Sequence, residues 1–447
     1  MSIFIKYFTF RGIIMKKSIL HKEIDNKNII IGILYFIITI FPMIVFPTMS
    51  PVYVNSKFII LYSTAIFLLI VLFKDKRIKL YNGNILVLIF LLTLLISTIF
   101  SDYKDVAFWG NNYRKEGFFT ISIYVLLFIV SSSYFKINKM LWNLILISST
   151  VMSCYGLLQF CGFDPIQYFA LGEIKSSSVI GTIGNRNFFS TYVLIFLPIY
   201  LSYYIFYGGK KYLFCVTIMF SALICSQTRG GWVAFLIMSF IGLIFIIKRL
   251  DCLKRAIIVF IMFTIVFLVL NSSSLGAIKD RATTVIKEGK LFASTIIKND
   301  KDLNGELGSG RVLIWKITYK AFKESLFLGQ GPDTLSLRLQ NDYYEEHMEF
   351  VEKSNQYIDK AHNEFLEYAV SGGIFTVISY ILILSVILLG LFKNIKEDRN
   401  KILFIIIITF IVQSMFNISV VMVAPIVWIM LGCALKVYKE GVDSILF

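Results

Sequence analysis

Residues 29–54, 117–135 and 256–278 contain no Asp, Glu, Lys or Arg. A helix needs about 20 such residues to cross roughly 30 Å of hydrocarbon. In lipid the backbone must satisfy its own hydrogen bonds, which leaves helices as the natural solution for long apolar runs. Hydrophobic residues make up 57% of the 447-residue chain and charged residues 16%, a balance that excludes an ordinary soluble domain. The expected fold is an all-α, polytopic membrane bundle of twelve spans. Their expected positions are about 29–46, 57–73, 84–101, 117–134, 140–161, 188–207, 212–227, 231–247, 256–273, 364–392, 402–417 and 420–436. The last two are split because 34 uncharged residues lie between Lys401 and Lys436. At 1.5 Å per residue that is roughly 51 Å of helix, too long for one crossing. Asn417 and Pro425 mark the break.

The net charge of +16 suggests nucleic acid until its distribution is considered. With a cytoplasmic N-terminus, the short inner loops hold Lys74, Lys76, Arg77, Lys79, Lys136, Lys139, Lys210, Lys211, Lys248, Arg249, Lys254, Arg255, Lys393, Lys396, Arg399 and Lys401. The short outer loops keep only Lys57, Lys104, Arg114, Lys115, Lys175, Arg186 and Arg229. This is the positive-inside pattern of a membrane protein, and no nucleic-acid partner is expected. The six cysteines fall in expected spans or on the inner side, so no disulfide framework is implied. The first apolar stretch is long and lacks a small-x-small exit, so it is read as a retained helix. Met15-Lys16-Lys17 reads as an alternative start.

The expected organisation is a cytoplasmic segment 1–28, spans over 29–270, an extracytoplasmic loop subdomain 271–361, further spans over 362–437 and a cytoplasmic tail 438–447. Within the loop, Ile314, Ile317 and Ala321 share one face at helical spacing, with Leu313 and Phe322 at its edges. Such a helix is expected to lie on the bundle with its apolar side at the interface. Gly329-Gln330-Gly331-Pro332-Asp333 ends that region, and a polar helix is expected over about 342–355.

The residues with chemistry to offer cluster on the expected outer face. Arg186 and Arg229 stand at the ends of apolar segments, and Arg311 opens the amphipathic helix. Each could simply snorkel, since an arginine near hydrocarbon costs a few kcal/mol unless it reaches water or a partner. Three arginines on one face also suit a diphosphate, whose oxygens guanidinium groups bind in a bidentate manner. They could also stabilise the charge that develops as the diphosphate leaves. His362 precedes Asn363, a plausible helix cap. At a helix N-terminus the imidazole is favoured in its neutral form, the form a general base needs. Glu364 and Glu367 act in the opposite sense, or one of them orients the ring. His347 has no second histidine one turn away, so it is no zinc site and reads as part of a solvated helix face. Asp300-Lys301-Asp302-Leu303-Asn304-Gly305 resembles the start of a calcium loop, but position twelve is Arg311 instead of Glu. Its acidic pair lies away from the cytosolic sugar-nucleotide pool, and Gly305-x-x-Gly308-x-Gly310 lacks the strand a dinucleotide site requires.

Four motifs together resemble the O-antigen ligase/O-antigen polymerase superfamily of membrane glycosyltransferases. They are Gly181-Thr182-Ile183-Gly184-Asn185-Arg186-Asn187-Phe188; Ser226-Gln227-Thr228-Arg229-Gly230-Gly231-Trp232; Gly310-Arg311 through Trp315 followed by Gly329-x-Gly331-Pro332; and His362-Asn363-x9-Gly373-x-x-Thr376. The likeness spans about 180–380, and Ser325 departs from it where a proline often precedes the Gly-x-Gly turn. The resemblance implies an inverting transfer without metal or cofactor, from an undecaprenyl-diphosphate-linked glycan to a hydroxyl on a glycan, lipid or protein. It implies His362 as the base, with Arg186, Arg229 and Arg311 on the diphosphate. Asn363, Glu364, Glu367 and Gly373 would support that site. The polyprenyl tail would lie in an apolar groove between spans, and the enzyme would sit in the bacterial cytoplasmic membrane with its site facing outward.

A ligase, a surface-polysaccharide polymerase and a protein O-oligosaccharyltransferase would share this donor chemistry. The lack of a long extra outer domain disfavours the last. A transporter or lipid flippase is a different class, but coupled carriers place ionisable groups at mid-membrane. Here the spans are nearly uncharged except near their ends, and no repeated halves are present.

Overall fold

The computed structural model describes residues 25–75, 77–172, 178–298 and 310–440. The alternative start at Met15, the motif beginning at Asp300 and most of the tail 438–447 lie outside these residues. Helices account for all the regular structure among the described residues. They run α1 (Asn26–Thr39), α2 (Val52–Asp75), α3 (Asn82–Phe100), α4 (Lys104–Trp109), α5 (Phe118–Tyr134), α6 (Lys139–Phe160) and α7 (Pro165–Leu171). Next come α8 (Arg186–Tyr207), α9 (Lys210–Cys225), α10 (Arg229–Ile246), α11 (Leu250–Ser273) and α12 (Ala277–Lys298). The chain continues through α13 (Arg311–Glu324), α14 (Leu335–Asp342), α15 (Tyr344–Ser354), α16 (Glu364–Lys393), α17 (Asp398–Ser414) and α18 (Ala424–Glu440).

Eight of these elements are long and apolar enough to cross a membrane, counting α1 with the short turn that extends it to Met43. The protein is a multi-pass membrane protein. Helices α5, α17 and α18 have 17 residues each and α9 has 16, and each falls where a span is expected. Side-chain chemistry sets several ends. Asn138 accepts a hydrogen bond from the amide of Leu141 at the start of α6, and Asn185 caps α8 through Asn187. Left-handed Gly172 ends α7.

Of these eight, α8 is the most enclosed, with 83% of its apolar window buried, whereas α11 has only 11% and lies at the periphery. Helix α18 packs along α5, α16 along α3, and α10 along α17, while α8 packs against α9 and α17. An aromatic cluster joins three of these elements: Phe90 lies 5.0 Å from Tyr368 and 5.6 Å from Trp428, and Tyr368 lies 4.7 Å from Tyr380. Phe73, Leu236 and Phe260 project outward, as lipid-facing residues of a bundle do.

A second, smaller core lies at one end of the bundle. Ile314, Ile317, Ala321 and Phe322 of α13 pack with Leu335 and Leu339 of α14, Phe350 of α15, and Ala369, Val370 and Val377 of α16. The expected amphipathic face is therefore present, and it is buried against protein. Helix α14 was not expected. Its three leucines, at 335, 337 and 339, alternate at a period of two and so give no helical signal. His347 contradicts the expectation of a solvated face: it is 1% exposed and its ring lies 5.7 Å from that of Tyr357. Its neighbours Glu345, Glu346 and Glu349 disguise the buried stripe of α15 as wholly polar.

The loop core is fixed to α16 through glycine. Helix α16 breaks at Gly373, where φ is 75° and ψ is −174°. The freed amide of Ile374 donates to Leu326 O at 2.8 Å, and the amide of Gly331 donates to Ser371 O at 2.8 Å. A Cβ at position 373 would meet Phe327 O at 2.1 Å, and one at Gly329 would meet Ser371 O at 2.5 Å. Only glycine permits that approach.

Candidate active site

The loop core and the bundle enclose a cavity of about 1050 Å³. Its wall brings together His362, Arg186, Arg229 and Arg311, drawn from positions up to 176 residues apart in the chain. Arg186 is the first residue of α8, Arg229 of α10 and Arg311 of α13. Each helix thus begins at the cavity, where its positive dipole end adds to the guanidinium charge. Arg114, from the loop before α5, and Arg281, from α12, line the same cavity.

Two of these five arginines have carboxylate partners. Arg114 donates to Asp359 through both Nε and Nη2 and lies 5.4 Å from the ring of Phe188. Arg229 donates to Glu288 of α12, while its buried Nε has no partner among the described residues. For Arg186, Arg281 and Arg311 no carboxylate partner occurs among the described residues. Burial, and then the charges of Arg229, Arg186 and Arg281, push Arg311 down to about 10. It remains cationic at neutral pH, in a cluster whose mutual repulsion an anion would relieve.

His362 sits one residue before the cap of α16. Asn363 accepts from the amide of Leu366 at 3.1 Å, as a helix cap does. Four contacts hold the preceding residues. The indole of Trp315 donates to Ala361 O at 3.0 Å, and the Ala361 amide donates to Glu367 at 2.9 Å. Lys360 pairs with Asp333 at 3.0 Å and Glu367 at 2.8 Å, all three nearly or wholly buried. Asp333 also accepts from the amide and side chain of Asn111 and from the amide of Glu116. It therefore ties the Gly-x-Gly-Pro turn, the loop carrying Arg114 and the loop carrying His362 into one unit. Burial opposes the charge of Lys360, but the two carboxylates more than offset it and hold the ammonium above the ordinary lysine range.

Backbone conformation tells the same story. Among the described residues six non-glycine ones have positive φ, and Gln227, Asp333, Asn355 and His362 of these line this cavity. Such conformations cost on the order of 1–3 kcal/mol each and persist where surrounding contacts over-determine them.

The imidazole is neutral here. Burial pushes it down to about 4, Asp359 acts in the opposite sense, and Arg311, Arg114 and Lys360 depress it further. Its Nε2 faces Asp359 Oδ1 at 3.6 Å, while the buried Nδ1 has no partner among the described residues. The expectation that Glu364 or Glu367 orients the ring is overturned by this geometry. Glu364 accepts from Tyr380 and Ser419, both at 2.8 Å, and Glu367 holds Lys360 and Ala361. The first turn of a helix directs these carboxylates back into the bundle, whereas Asp359, three residues before His362, shares its loop. Gly373 lies outside the cavity wall and acts through the turn it permits.

Sequence reasoning missed Arg114, Arg281, Asp359, Asp333, Lys360 and Glu288. As isolated loop charges they carry no signal. The Arg311-to-Trp315 motif did contain one clue, since an indole needs a partner when it is buried.

Among known families, residues 214–381 match the one described as O-antigen ligase, which supports membership of the O-antigen ligase superfamily. The match runs from within α9 through α15 and into the first part of α16, and so includes Arg229, Arg311 and His362. No curated protein matches the chain.

Proposed function

We propose that this chain, which carries an O-antigen ligase domain, transfers a glycan from an undecaprenyl-diphosphate carrier to an acceptor hydroxyl. The reaction takes place at the extracytoplasmic face of the bacterial cytoplasmic membrane. The observation that carries the reading is a neutral imidazole with an unpartnered Nδ1 in a cavity lined by five arginines. A neutral imidazole can accept a proton, and a guanidinium cluster can hold a leaving group that departs with negative charge.

The acceptor oxygen attacks the anomeric carbon as its proton passes to the imidazole of His362. The bond between that carbon and the phosphate oxygen breaks, and its electron pair leaves with the diphosphate. Arg186, Arg229 and Arg311 bind the diphosphate oxygens and stabilise the charge gained in the transition state. Asp359 positions the ring through Nε2 and steadies the imidazolium that forms. The diphosphate itself aids this step. It offsets the arginine charge that depresses the imidazole, so the base strengthens when the donor binds.

Twelve crossings place the charge-poor loops and the cavity outside, with 271–361 as the extracytoplasmic loop subdomain. The apolar groove of about 550 Å³ between α8, α9, α10 and α11, lined by Pro198, Phe220, Phe235 and Phe263, suits a polyprenyl chain.

A polymerase or a protein O-oligosaccharyltransferase would use the same donor chemistry with another acceptor. Incubating the purified protein with a defined polyprenyl-diphosphate glycan and glycan, lipid and peptide acceptors, then reading product masses, tests the proposal. A glycan-bearing acceptor with released polyprenyl diphosphate is expected. Absence of transfer to every acceptor class, from donor that binds, contradicts it.

A further inference from the structure

Helix α12 places two oppositely charged groups at or beside the cavity, and neither belongs to the four sequence motifs. Arg281 lines the wall, and Glu288 grips Arg229. Seven residues separate them, almost two turns, so they share a helix face. Of residues 277–290, only Ile278 is fully buried. Glu288 satisfies one end of the Arg229 fork and leaves the buried Nε without a partner among the described residues. The Arg229 side chain lines the cavity and is 16% exposed, and that of Glu288 is 25% exposed, so the pair is not sealed off from an incoming anion.

From this arrangement we infer that Glu288 is a place-holder for a substrate phosphate on Arg229, and that Arg281 is a further phosphate-binding residue. The inference rests on the diphosphate reading above and deepens it. An entering diphosphate displaces the carboxylate from Arg229 and takes both ends of its fork, an arrangement a single carboxylate oxygen does not achieve. The released Glu288 turns to solvent, and Arg281, almost two turns away on the same face of α12, closes on the same anion. The ligand class is an organic or inorganic diphosphate, either lipid-borne or free.

The two residues therefore predict opposite effects, which separates competition from simple structural support. Glu288→Gln removes the competing charge and keeps the shape. Arg281→Gln removes a cation. Inorganic diphosphate and farnesyl diphosphate are titrated separately into the full chain in lipid nanodiscs, and binding is followed by calorimetry. Thermal midpoints are measured alongside to confirm that each variant is folded. The expected result is roughly fivefold to tenfold tighter binding by Glu288→Gln and about tenfold weaker binding by Arg281→Gln, about 1.4 kcal/mol per decade. A steeper loss with farnesyl diphosphate assigns the site to the lipid-borne ligand, and equal losses assign it to the diphosphate group alone. Both support the inference. Unchanged or weaker binding by folded Glu288→Gln overturns the place-holder role, and unchanged binding by folded Arg281→Gln overturns the second. No acceptor is present, so the result is independent of glycosyl transfer. A protein that binds as described yet transfers nothing retains this inference and loses the enzymatic one.

Discussion

Replacing Lys360 by methionine removes the cation that pairs with two buried carboxylates directly behind His362. Lys360 Nζ lies 3.0 Å from Asp333 and 2.8 Å from Glu367, and the three side chains are 4%, 0% and 10% exposed. Glu116 is also buried there, and burial pushes its carboxyl up to about 8, so it does not add charge at neutral pH. Deleting one partner of a buried ion pair costs about 3–5 kcal/mol because the remaining charge is left uncompensated. With about 2.1 cal/mol/K per residue for unfolding entropy, a chain of 447 residues loses roughly 1 °C per kcal/mol. The thermal midpoint in detergent should therefore fall by about 3–5 °C. Transfer activity should fall further, since residues 360 and 361 fix the strained conformation of His362. Adding Asp333→Asn and Glu367→Gln to Lys360→Met removes the unpaired charges, so this triple variant should regain most of the midpoint. Differential scanning fluorimetry measures each step. An unchanged midpoint in the single variant, or a further fall in the triple one, would refute the reasoning.

Three other perturbations read other parts of the site. Arg311→Lys keeps the charge but loses the planar fork. The loss of about 1.5–3 kcal/mol from charged hydrogen bonds predicts a drop of roughly 10-fold to 100-fold in kcat/KM, and wild-type kinetics would argue against bidentate binding. Gly373→Ala places a Cβ 2.1 Å from Phe327 O at a φ of 75°, so it should destabilise by at least about 2 kcal/mol. Gly32→Ala, with no atom within 4 Å of the new Cβ, is the control, and equal midpoints would remove the role given to the α16 break. The kcat/KM profile should be flat from neutral pH downward and fall only as pH approaches about 4, where His362 gains its proton. The acid limb of kcat should lie at higher pH because bound diphosphate offsets the arginine charge. An acid limb of kcat/KM at the ordinary histidine value would contradict a desolvated base.

The charge-free runs made the bundle legible. The expected segments fall on the apolar helices with only small shifts at their ends, because lipid-facing helices write their length directly into composition. The convergence of Arg186, Arg229, Arg311 and His362 was also readable, since each stands at a helix start flanked by glycine, asparagine or threonine. Other parts depended on tertiary placement. Asp359 and Arg114 find each other across 245 residues, and no local pattern announces such a pair. Lys360 resembles any solvated loop lysine until Asp333 and Glu367 enclose it. Periodicity failed at His347 because α15 buries only His347 and Phe350 between acidic neighbours, too narrow a stripe to stand out. Glu364 and Glu367 misled because closeness in sequence to His362 does not place them on its side of the helix.

The most direct test of the account compares wild-type protein with His362→Ala in the transfer assay, with equal membrane expression and equal diphosphate binding established first. The account predicts that glycan-bearing product disappears from the variant while donor binding persists. Product formed by His362→Ala at the wild-type rate would contradict it, for the imidazole would then have no part in taking the acceptor's proton.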